Sequence, residues 1–341
     1  MRRALTAWVV ASVCAALSAC SDAGTVLTIY SPHGREQLRA FKERFEATHP
    51  GVDVQSLDMG SQEVLERIRS ESANPQGDVW FGGPASFFAR AAAQGLLAPN
   101  RPSWADAVLP EARGPEDLYF GVYITPPVIA YNSDVLSREE APQDWDDVLD
   151  PRWAGKLLIR DPVASGTMRT IFGMIMYRSL KETGDTAAGY EWLRALDRHT
   201  KEYVLNPAIL YQKLTRQEGL ITLWNLPDVL QMQRQGFPID YILPASGTPV
   251  QVDAIAIIKG AKQPELAREF IEYVGSVEGQ LFAARGLFRN LARTDLPRDS
   301  LPEWLNRVMD ELKPMPLDWD VLEMRGSEWM KYWDAHIRNS G

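Results

Sequence analysis

Hydrophobic positions in the first third of the chain alternate between a strand period and a helix period. Apolar residues recur every three or four positions among charged ones in three segments, which predicts amphipathic helices, the first ending near His49. Short runs rich in β-branched and aromatic residues precede these segments and predict strands. The predicted strands are Val26–Tyr30, Val52–Val54 and Asp78–Phe81. This β-α-β-α-β-α order is typical of a mostly parallel sheet covered by helices.

Two longer apolar segments depart from this pattern. Tyr119–Tyr131 is strand-like but contains Pro126 and Pro127, and Pro249–Ile258 is a second apolar run. Proline cannot donate a ladder hydrogen bond, so the first segment is expected at a sheet edge or crossing between sheets. Two α/β units joined by two such extended segments would suit two lobes with a hinge between them.

The remaining chain adds further predicted elements. Helices are expected at 166–176, 186–196 and 263–273, and a strand at 219–224. The tail from Pro302 to Ile337 is predicted to be helical and carries a stripe of tryptophans that we interpret as core packing. These are Trp304, Trp319, Trp329 and Trp333.

The N-terminus has the pattern of an export signal. Met1-Arg2-Arg3 is basic, Ala4–Leu17 is mostly apolar, and small residues follow. The apolar stretch is shorter than the about 20 residues that a spanning helix needs. Leu17-Ser18-Ala19-Cys20 resembles the bacterial lipobox, in which the cysteine is lipidated and the chain is cut just before it. We therefore expect a signal peptide at 1–19 and a lipid on Cys20; an ordinary signal peptide with a chance cysteine is the alternative.

Composition narrows the function classes. Cys14 and Cys20 are the two cysteines, so the processed chain would have neither a free thiol nor a disulfide, and cysteine catalysis is excluded. The formal net charge is −9, or −11 once Arg2 and Arg3 are removed, which argues against nucleic acid as a partner. An anionic ligand remains compatible, because local donors govern a site. A length of 341 residues suggests two domains.

Several short segments match one family in its order across nearly the whole processed chain. They are Leu27–Ser31, Gly77–Ala85, Asp150–Lys156, Asp161–Thr167, Gly247–Val250, Ile257–Ala261 and Ser276–Gln280. Together they resemble the periplasmic solute-binding proteins of the ferric-ion-binding type, a group that also holds binders of phosphorylated sugars and phosphonates.

This resemblance implies an α/β fold of the type II periplasmic-binding-protein kind, with two lobes, a hinge of two crossing segments and the ligand in the cleft. The expected division places lobe 1 at 20–122, lobe 2 at 123–252, and the return to lobe 1 with C-terminal helices at 253–341. The crossing strands are expected near 123–131 and 250–258.

Candidate ligand-binding residues follow from where strands end. In open α/β sheets, ligands lie outside the carboxyl ends of the strands, and helix N-termini there offer unpaired amides and a positive dipole end. Ordinary helix capping is the alternative for each Ser or Thr. The family uses the loop corresponding to Ser165-Gly166-Thr167 on oxyanions. The full candidate set is Ser31, His33, Ser61, Gly83, Ala85, Ser165, Gly166, Thr167, Trp224, Asn225 and Asp253.

Four of these candidates carry distinctive side-chain chemistry. His33 could donate to an oxyanion or bind a metal, or could be a loop residue. Trp224 offers a stacking face and Asn225 both a donor and an acceptor. Asp253 is a charge inside an apolar segment, where charge is costly, so it would bind ligand hydroxyls or an amine, or pair with a basic residue at the hinge.

We therefore expect an extracytoplasmic solute-binding component of an ABC importer that captures a small anionic organic solute, phosphorylated solutes included. It would be a monomer in the periplasm or cell envelope, held to a membrane through Cys20, working with permease subunits and needing no cofactor or metal. A ferric-ion-binding protein is the first alternative. The family's iron binders use two adjacent tyrosines after the strand corresponding to Leu220–Trp224, where this chain has Asn225-Leu226-Pro227-Asp228. An exported enzyme is the second alternative, but the hydrolase, zinc-protease and phosphate-loop motifs are missing.

Overall fold

The computed structural model describes residues 24–339, so the predicted signal peptide and Cys20 lie outside the described part of the chain. Its first part has the predicted alternation of strands and helices. The elements are β1 (Thr25–Ser31), α1 (Arg35–Thr48), β2 (Val52–Asp58), α2 (Ser61–Ser70), β3 (Val79–Pro84), α3 (Ala85–Ala93) and β4 (Leu97–Ala98). β1 pairs in parallel with both β2 and β3. The helical spacing buries Leu38, Phe41 and Phe45 of α1 in the core beside this sheet.

The middle of the chain builds a second sheet and then returns to the first. Its elements are β5 (Phe120–Thr125), β6 (Pro127–Asn132), β7 (Leu157–Arg160), α4 (Gly166–Thr183), α5 (Ala187–His199), β8 (Thr200–Val204), α6 (Pro207–Thr215), β9 (Ile221–Asn225), α7 (Leu226–Arg234), β10 (Ile239–Ile242), β11 (Thr248–Pro249) and β12 (Gln251–Ile258). The last part contains α8 (Pro264–Gly275), α9 (Val277–Leu287), β13 (Asn290–Leu291), α10 (Glu303–Glu311), β14 (Pro314–Met315) and α11 (Trp319–His336). Short 3-10 helices occupy parts of the connections.

The backbone crosses between the two main sheets twice. The first has the order β13-β5-β12-β3-β1-β2, with β4 also paired to β12, and the second has the order β10-β6-β9-β7-β8. The chain leaves the first sheet at Pro126, between β5 and β6, and returns at Val250, just before β12. The two crossing segments are thereby confirmed. The lobe boundaries at 123 and 253 stay predictions, and the strands of the first sheet run to Thr125 and resume at Gln251.

The alternative placement of the proline-containing segment at a sheet edge is wrong. β5 has β13 and β12 as neighbours, and β6 has β10 and β9. Pro127 is tolerated inside the second sheet because it is the first residue of its strand.

The first main sheet has a hydrophobic core on each face, and the second sheet has one core. The C-terminal helices α10 and α11 pack on the core of the second sheet. Trp329 and Trp333 are fully buried there and Trp304 is partly buried against the same core. Trp319 opens α11 and is 36% exposed, so the core interpretation of the tryptophan stripe is wrong for this residue. In residues 24–339, every helix is too short or too polar to cross a membrane.

Candidate ligand-binding site

A cavity of about 670 Å³ lies between the two sheets and is lined from both sides. Its walls include the N-terminal ends of six helices, namely α1, α2, α3, α4, α6 and α7. Most of these helices follow strands whose carboxyl ends lie at the cleft, which is where ligands bind in open α/β sheets. Because each helix N-terminus carries partial positive charge, the fold concentrates positive potential on one small volume.

Four of these helix ends, those of α1, α2, α3 and α4, keep amides available for a ligand; α3 begins after Pro84, which makes no side-chain capping bond. α6 and α7 are capped by their own chain: the Asn206 side chain accepts from Ala208 N at 2.8 Å, and the Asn225 side chain accepts from Asp228 N at 3.0 Å. α1 and α2 begin after Gly34 and Gly60, which have no capping side chain.

In α4, the capping bond leaves the first two amides free. Ser165 Oγ accepts from Met168 N at 3.3 Å. The N–H groups of Gly166 and Thr167 have no protein acceptor within residues 24–339. Both residues line the cavity. The Ser165-Gly166-Thr167 loop therefore presents two backbone donors and one hydroxyl to the cleft.

Three arginines line the cavity, and none has a carboxylate partner in the described part of the chain. Arg35 is exposed at the start of α1, whereas Arg160 is half-buried and Arg289 is buried. Arg160 is the last residue of β7; its Nη1 donates to the Val204 carbonyl at 3.2 Å, and its buried Nε has no acceptor. Burial lowers the pKa of Arg160, while the nearby Asp161 and Tyr211 act in the opposite direction. Arg289 is only 9% exposed and donates from Nε to Gln37 Oε1 at 2.6 Å. Buried charges are normally paired, so the guanidinium groups of Arg160 and Arg289 are candidate donors for an anionic ligand.

His33 and Asp253 meet on the first-sheet wall of the cavity. His33 Nε2 lies 3.4 Å from Asp253 Oδ2, which also accepts from Thr125 Oγ1 at 2.7 Å. Gln37 Nε2 lies 2.9 Å from His33 Nδ1. Both ring nitrogens of His33 are therefore engaged within the protein.

The environment sets the protonation of this pair. Burial lowers the pKa of His33, against the attraction of Asp253. Burial alone would raise the pKa of Asp253, but the hydrogen bonds from His33 and Thr125 and the charge of Arg289 outweigh it and lower that pKa. The arrangement favours a neutral histidine beside an ionised aspartate.

The opposite wall holds an aromatic cluster around Asp228. Asp228 Oδ2 accepts from Tyr211 Oη at 2.9 Å, from Trp224 Nε1 at 2.9 Å and from Asn225 Nδ2 at 3.1 Å. Burial, together with Asp228, raises the pKa of Tyr211 well above its usual range. Trp224 is only 5% exposed, so most of its ring packs inside the protein. The described residues contain no group of three or more His, Cys, Asp or Glu side chains placed to hold a metal ion.

The structure brings nine of the eleven candidate residues to the cavity wall. They are His33, Ser61, Gly83, Ser165, Gly166, Thr167, Trp224, Asn225 and Asp253. Ser31 is fully buried behind the wall, where its Oγ accepts from His33 N at 3.1 Å, and Ala85 opens α3 without lining the cavity. Ligand binding by these residues stays a prediction.

Sequence reasoning did not single out several polar residues of the wall. They include Gln37, Arg160, Asn206, Tyr211, Asp228 and Arg289. Arg160 could have been found, because it follows the apolar run 157–159 and precedes the Asp161-Pro162 turn. Arg289 carries no such signal, since it follows a helix and is brought to the cleft only by tertiary packing.

Several proteins similar to this chain are named as periplasmic binding proteins. The chain is 27% identical over 330 residues to the probable ABC transporter periplasmic-binding protein y4fP of Sinorhizobium fredii, covering 96% of this chain and 89% of the relative. It is 28% identical over 340 residues to the putative 2-aminoethylphosphonate-binding periplasmic protein of Salmonella paratyphi A, covering 94% and 95%. Iron uptake protein A2 of Synechocystis is 26% identical over 298 residues, covering 83% and 82%.

A solved structure agrees on the fold. The periplasmic binding protein AfuA from Actinobacillus pleuropneumoniae, with fructose 6-phosphate bound, superposes with a TM-score of 0.79 at 24% identity. The match covers 93% of this chain and 99% of AfuA. This likeness confirms the type II periplasmic-binding-protein fold.

The family model for bacterial extracellular solute-binding proteins matches residues 80–324, which is most of the chain. The two-sheet fold, the cleft between the sheets and the periplasmic relatives agree with that match. The chain therefore belongs to the bacterial extracellular solute-binding proteins and is the periplasmic solute-binding component of an ABC importer, which binds a small solute and works with membrane permease subunits.

Proposed function

We propose that the solute is a small organic anion whose phosphate, phosphonate or carboxylate group is bound in the cleft. The observation that carries the proposal is the pair of arginines without carboxylate partners, Arg160 and Arg289, in one cavity with open helix N-termini. Arginine forks and backbone amides are the donors that bind such oxyanions most strongly. The loop Ser165-Gly166-Thr167 would supply the backbone donors.

Two of the similar proteins support an anion of the phosphorus oxyacid type. One is named for 2-aminoethylphosphonate and the other was solved with fructose 6-phosphate. A site for either compound would need donors for the anionic group and further polar groups for the remainder of the molecule. Asp228 and Asn225 on the second-sheet wall would serve the latter purpose.

Ferric ion is the less favoured ligand. The position after β9 lacks adjacent tyrosines, and Tyr211 nearby donates its hydroxyl hydrogen to Asp228. The raised pKa of Tyr211 opposes the phenolate form that a hard cation would require. Titration with ferric citrate should give no tyrosinate charge-transfer band, and a visible band with submicromolar affinity would restore the iron hypothesis.

The test of the anion proposal is calorimetry on the processed protein with paired compounds. We expect binding of 2-aminoethylphosphonate or fructose 6-phosphate and much weaker binding of ethanolamine and fructose, which lack the anionic group. Equal affinity for the charged and uncharged members of a pair would contradict the proposal. Recovery of the bound compound unchanged after long incubation is expected, since we propose a binding protein and not an exported enzyme.

We further propose that the processed protein is a monomer held to a membrane by a lipid on Cys20. The support is the lipobox-like Leu17-Ser18-Ala19-Cys20. Two lipid chains give stable anchoring, and a diacylated cysteine would supply them. Globomycin should cause an unprocessed precursor to accumulate, and Cys20→Ser should release the protein from membranes. A wild-type protein that fractionates as soluble would contradict the anchor.

A further inference from the structure

Gln37 makes a buried bridge between an arginine and a histidine at the cleft. Gln37 is the third residue of α1 and is only 2% exposed. The Arg289 Nε–H donates to Gln37 Oε1 at 2.6 Å, and Gln37 Nε2 lies 2.9 Å from His33 Nδ1. Arginine has no acceptor, so the amide oxygen must face Arg289 and the amide hydrogens must face His33.

This orientation fixes the tautomer of His33. Nδ1 must accept from Gln37, so the ring proton lies on Nε2 and is directed to Asp253 Oδ2, 3.4 Å away. Asp253 Oδ2 is held in turn by Thr125 Oγ1 at 2.7 Å. If the ring proton of the neutral His33 moved to Nδ1, the Nδ1–H donor would face the amide hydrogens of Gln37.

The bonded series continues through the hinge to the second sheet's side of the cleft. Gln251 Nε2 lies 3.3 Å from Asp253 Oδ1, and Thr170 Oγ1 of α4 donates to Gln251 Oε1 at 2.6 Å. Thr125 and Gln251 belong to β5 and β12, the strands on either side of the two crossings. The guanidinium of Arg289 is thus connected to the hinge and to the helix whose N-terminus faces the cavity.

Because Arg289 Nε donates to Gln37, only the two terminal nitrogens of the guanidinium group remain to bind a ligand in the cavity. Within the described residues these nitrogens have no acceptor, although Arg289 is buried to 91% and lines the cavity. A long side chain that is free to rotate loses rotamer entropy when it binds a ligand, which weakens binding. A side chain that is already fixed by a hydrogen bond has lost this entropy before the ligand binds.

We propose that Gln37, held in one orientation by His33 and Asp253, is a positioning residue that aims the Arg289 guanidinium at the anionic group of the solute. This inference rests on the proposed function, since it requires an anion bound at Arg289. It assigns Gln37 a role through Arg289 and no contact of its own with the ligand.

The experiment is a double-mutant cycle on the processed protein, with 2-aminoethylphosphonate and inorganic phosphate as probes. Gln37→Met keeps the side-chain length but removes both hydrogen bonds. Its effect on the dissociation constant is measured in wild type, in Arg289→Met and in Arg160→Met, the last as the matched control for a second cleft arginine. Gln37→Asn, which is one methylene shorter and remains polar, provides a second test should Gln37→Met fold poorly.

We expect Gln37→Met to weaken binding roughly tenfold in wild type and in Arg160→Met, the size of one lost bond to a charged group. In Arg289→Met we expect less than about a twofold change, because the group being positioned is gone. A general structural role would give the same factor in all three backgrounds and would overturn the inference, as would an unchanged affinity in wild type. If Arg289→Met itself does not weaken binding, or wild type binds neither probe, the anion site at Arg289 fails and the positioning role fails with it.

Discussion

Replacement of Arg160 by methionine should make the ligand-free protein more stable while weakening its affinity for anions. The buried Nε of Arg160 has no acceptor, and its Nη1 makes one long bond of 3.2 Å to the Val204 carbonyl. An unsatisfied buried donor costs about 1–3 kcal/mol, and a net hydrogen bond contributes about 1 kcal/mol. The Val204 carbonyl keeps a partner after the replacement, because it also accepts from Asp161 N at 3.0 Å.

The gain from removing the unsatisfied donor, less the loss of the hydrogen bond, should leave the ligand-free variant between zero and about 2 kcal/mol more stable than wild type. This difference corresponds to a rise of up to a few degrees in Tm. Loss of a charged donor to the anion should raise Kd by about ten- to a hundredfold. Both quantities are measurable on one preparation, by thermal unfolding without ligand and by calorimetry with 2-aminoethylphosphonate or fructose 6-phosphate.

Arg216→Met is the matched control, since Arg216 is exposed and does not line the cavity. It should change stability by less than about 0.5 kcal/mol and leave Kd unchanged. An Arg160→Met protein that melts well below wild type and binds both probes normally would show that this arginine stabilises the fold and does not bind ligand.

Three further predictions test other parts of the site. Thr167→Ala should weaken anion binding without changing the ligand-free Tm, whereas Ser165→Ala should also lose about 1 kcal/mol of stability because Ser165 caps α4; unchanged affinity in both would contradict the assignment of this loop. Burial lowers the pKa of His33 below its ordinary value of 6.5, so its contribution to stability is complete above about pH 6.5 and is lost as the pH falls through the folded-state value. Denaturant unfolding should therefore show wild type losing stability more steeply than His33→Gln as the pH falls below about 6.5, and parallel slopes would contradict this. Small-angle scattering should show a smaller radius of gyration on saturation with a bound probe, since the two crossings at Pro126 and Val250 permit rigid-body closure; an unchanged radius would count against closure.

Local periodicity was sufficient for the part of the fold that depends on neighbours in sequence. The strands and helices from Thr25 to Ala93 were predictable because each amphipathic element shows its buried face within one or two turns. Pro126 and Pro127 marked this segment as either an edge or a crossing strand, because the proline ring removes a donor whatever the surroundings; the structure selects the crossing. The loops at strand ends identified part of the cavity wall, including Ser61, Gly83 and Ser165-Gly166-Thr167, since the carboxyl ends of parallel strands converge.

Tertiary structure alone decided which partners those elements and side chains have. Hydrophobic periodicity shows which face of an element is buried, but it does not show which other element covers that face. Neither the insertion of β12 between β5 and β3 nor the packing of α11 on the core of the second sheet could therefore be predicted. The same holds for the site: Gln37 and Arg289 are 252 positions apart, and His33 and Asp253 are 220 apart. Their hydrogen bonds, and the lack of a carboxylate partner at Arg160 and Arg289, follow from distances that only the folded chain sets. The chemistry of each residue determines what it can bind, and the fold determines which groups are within reach.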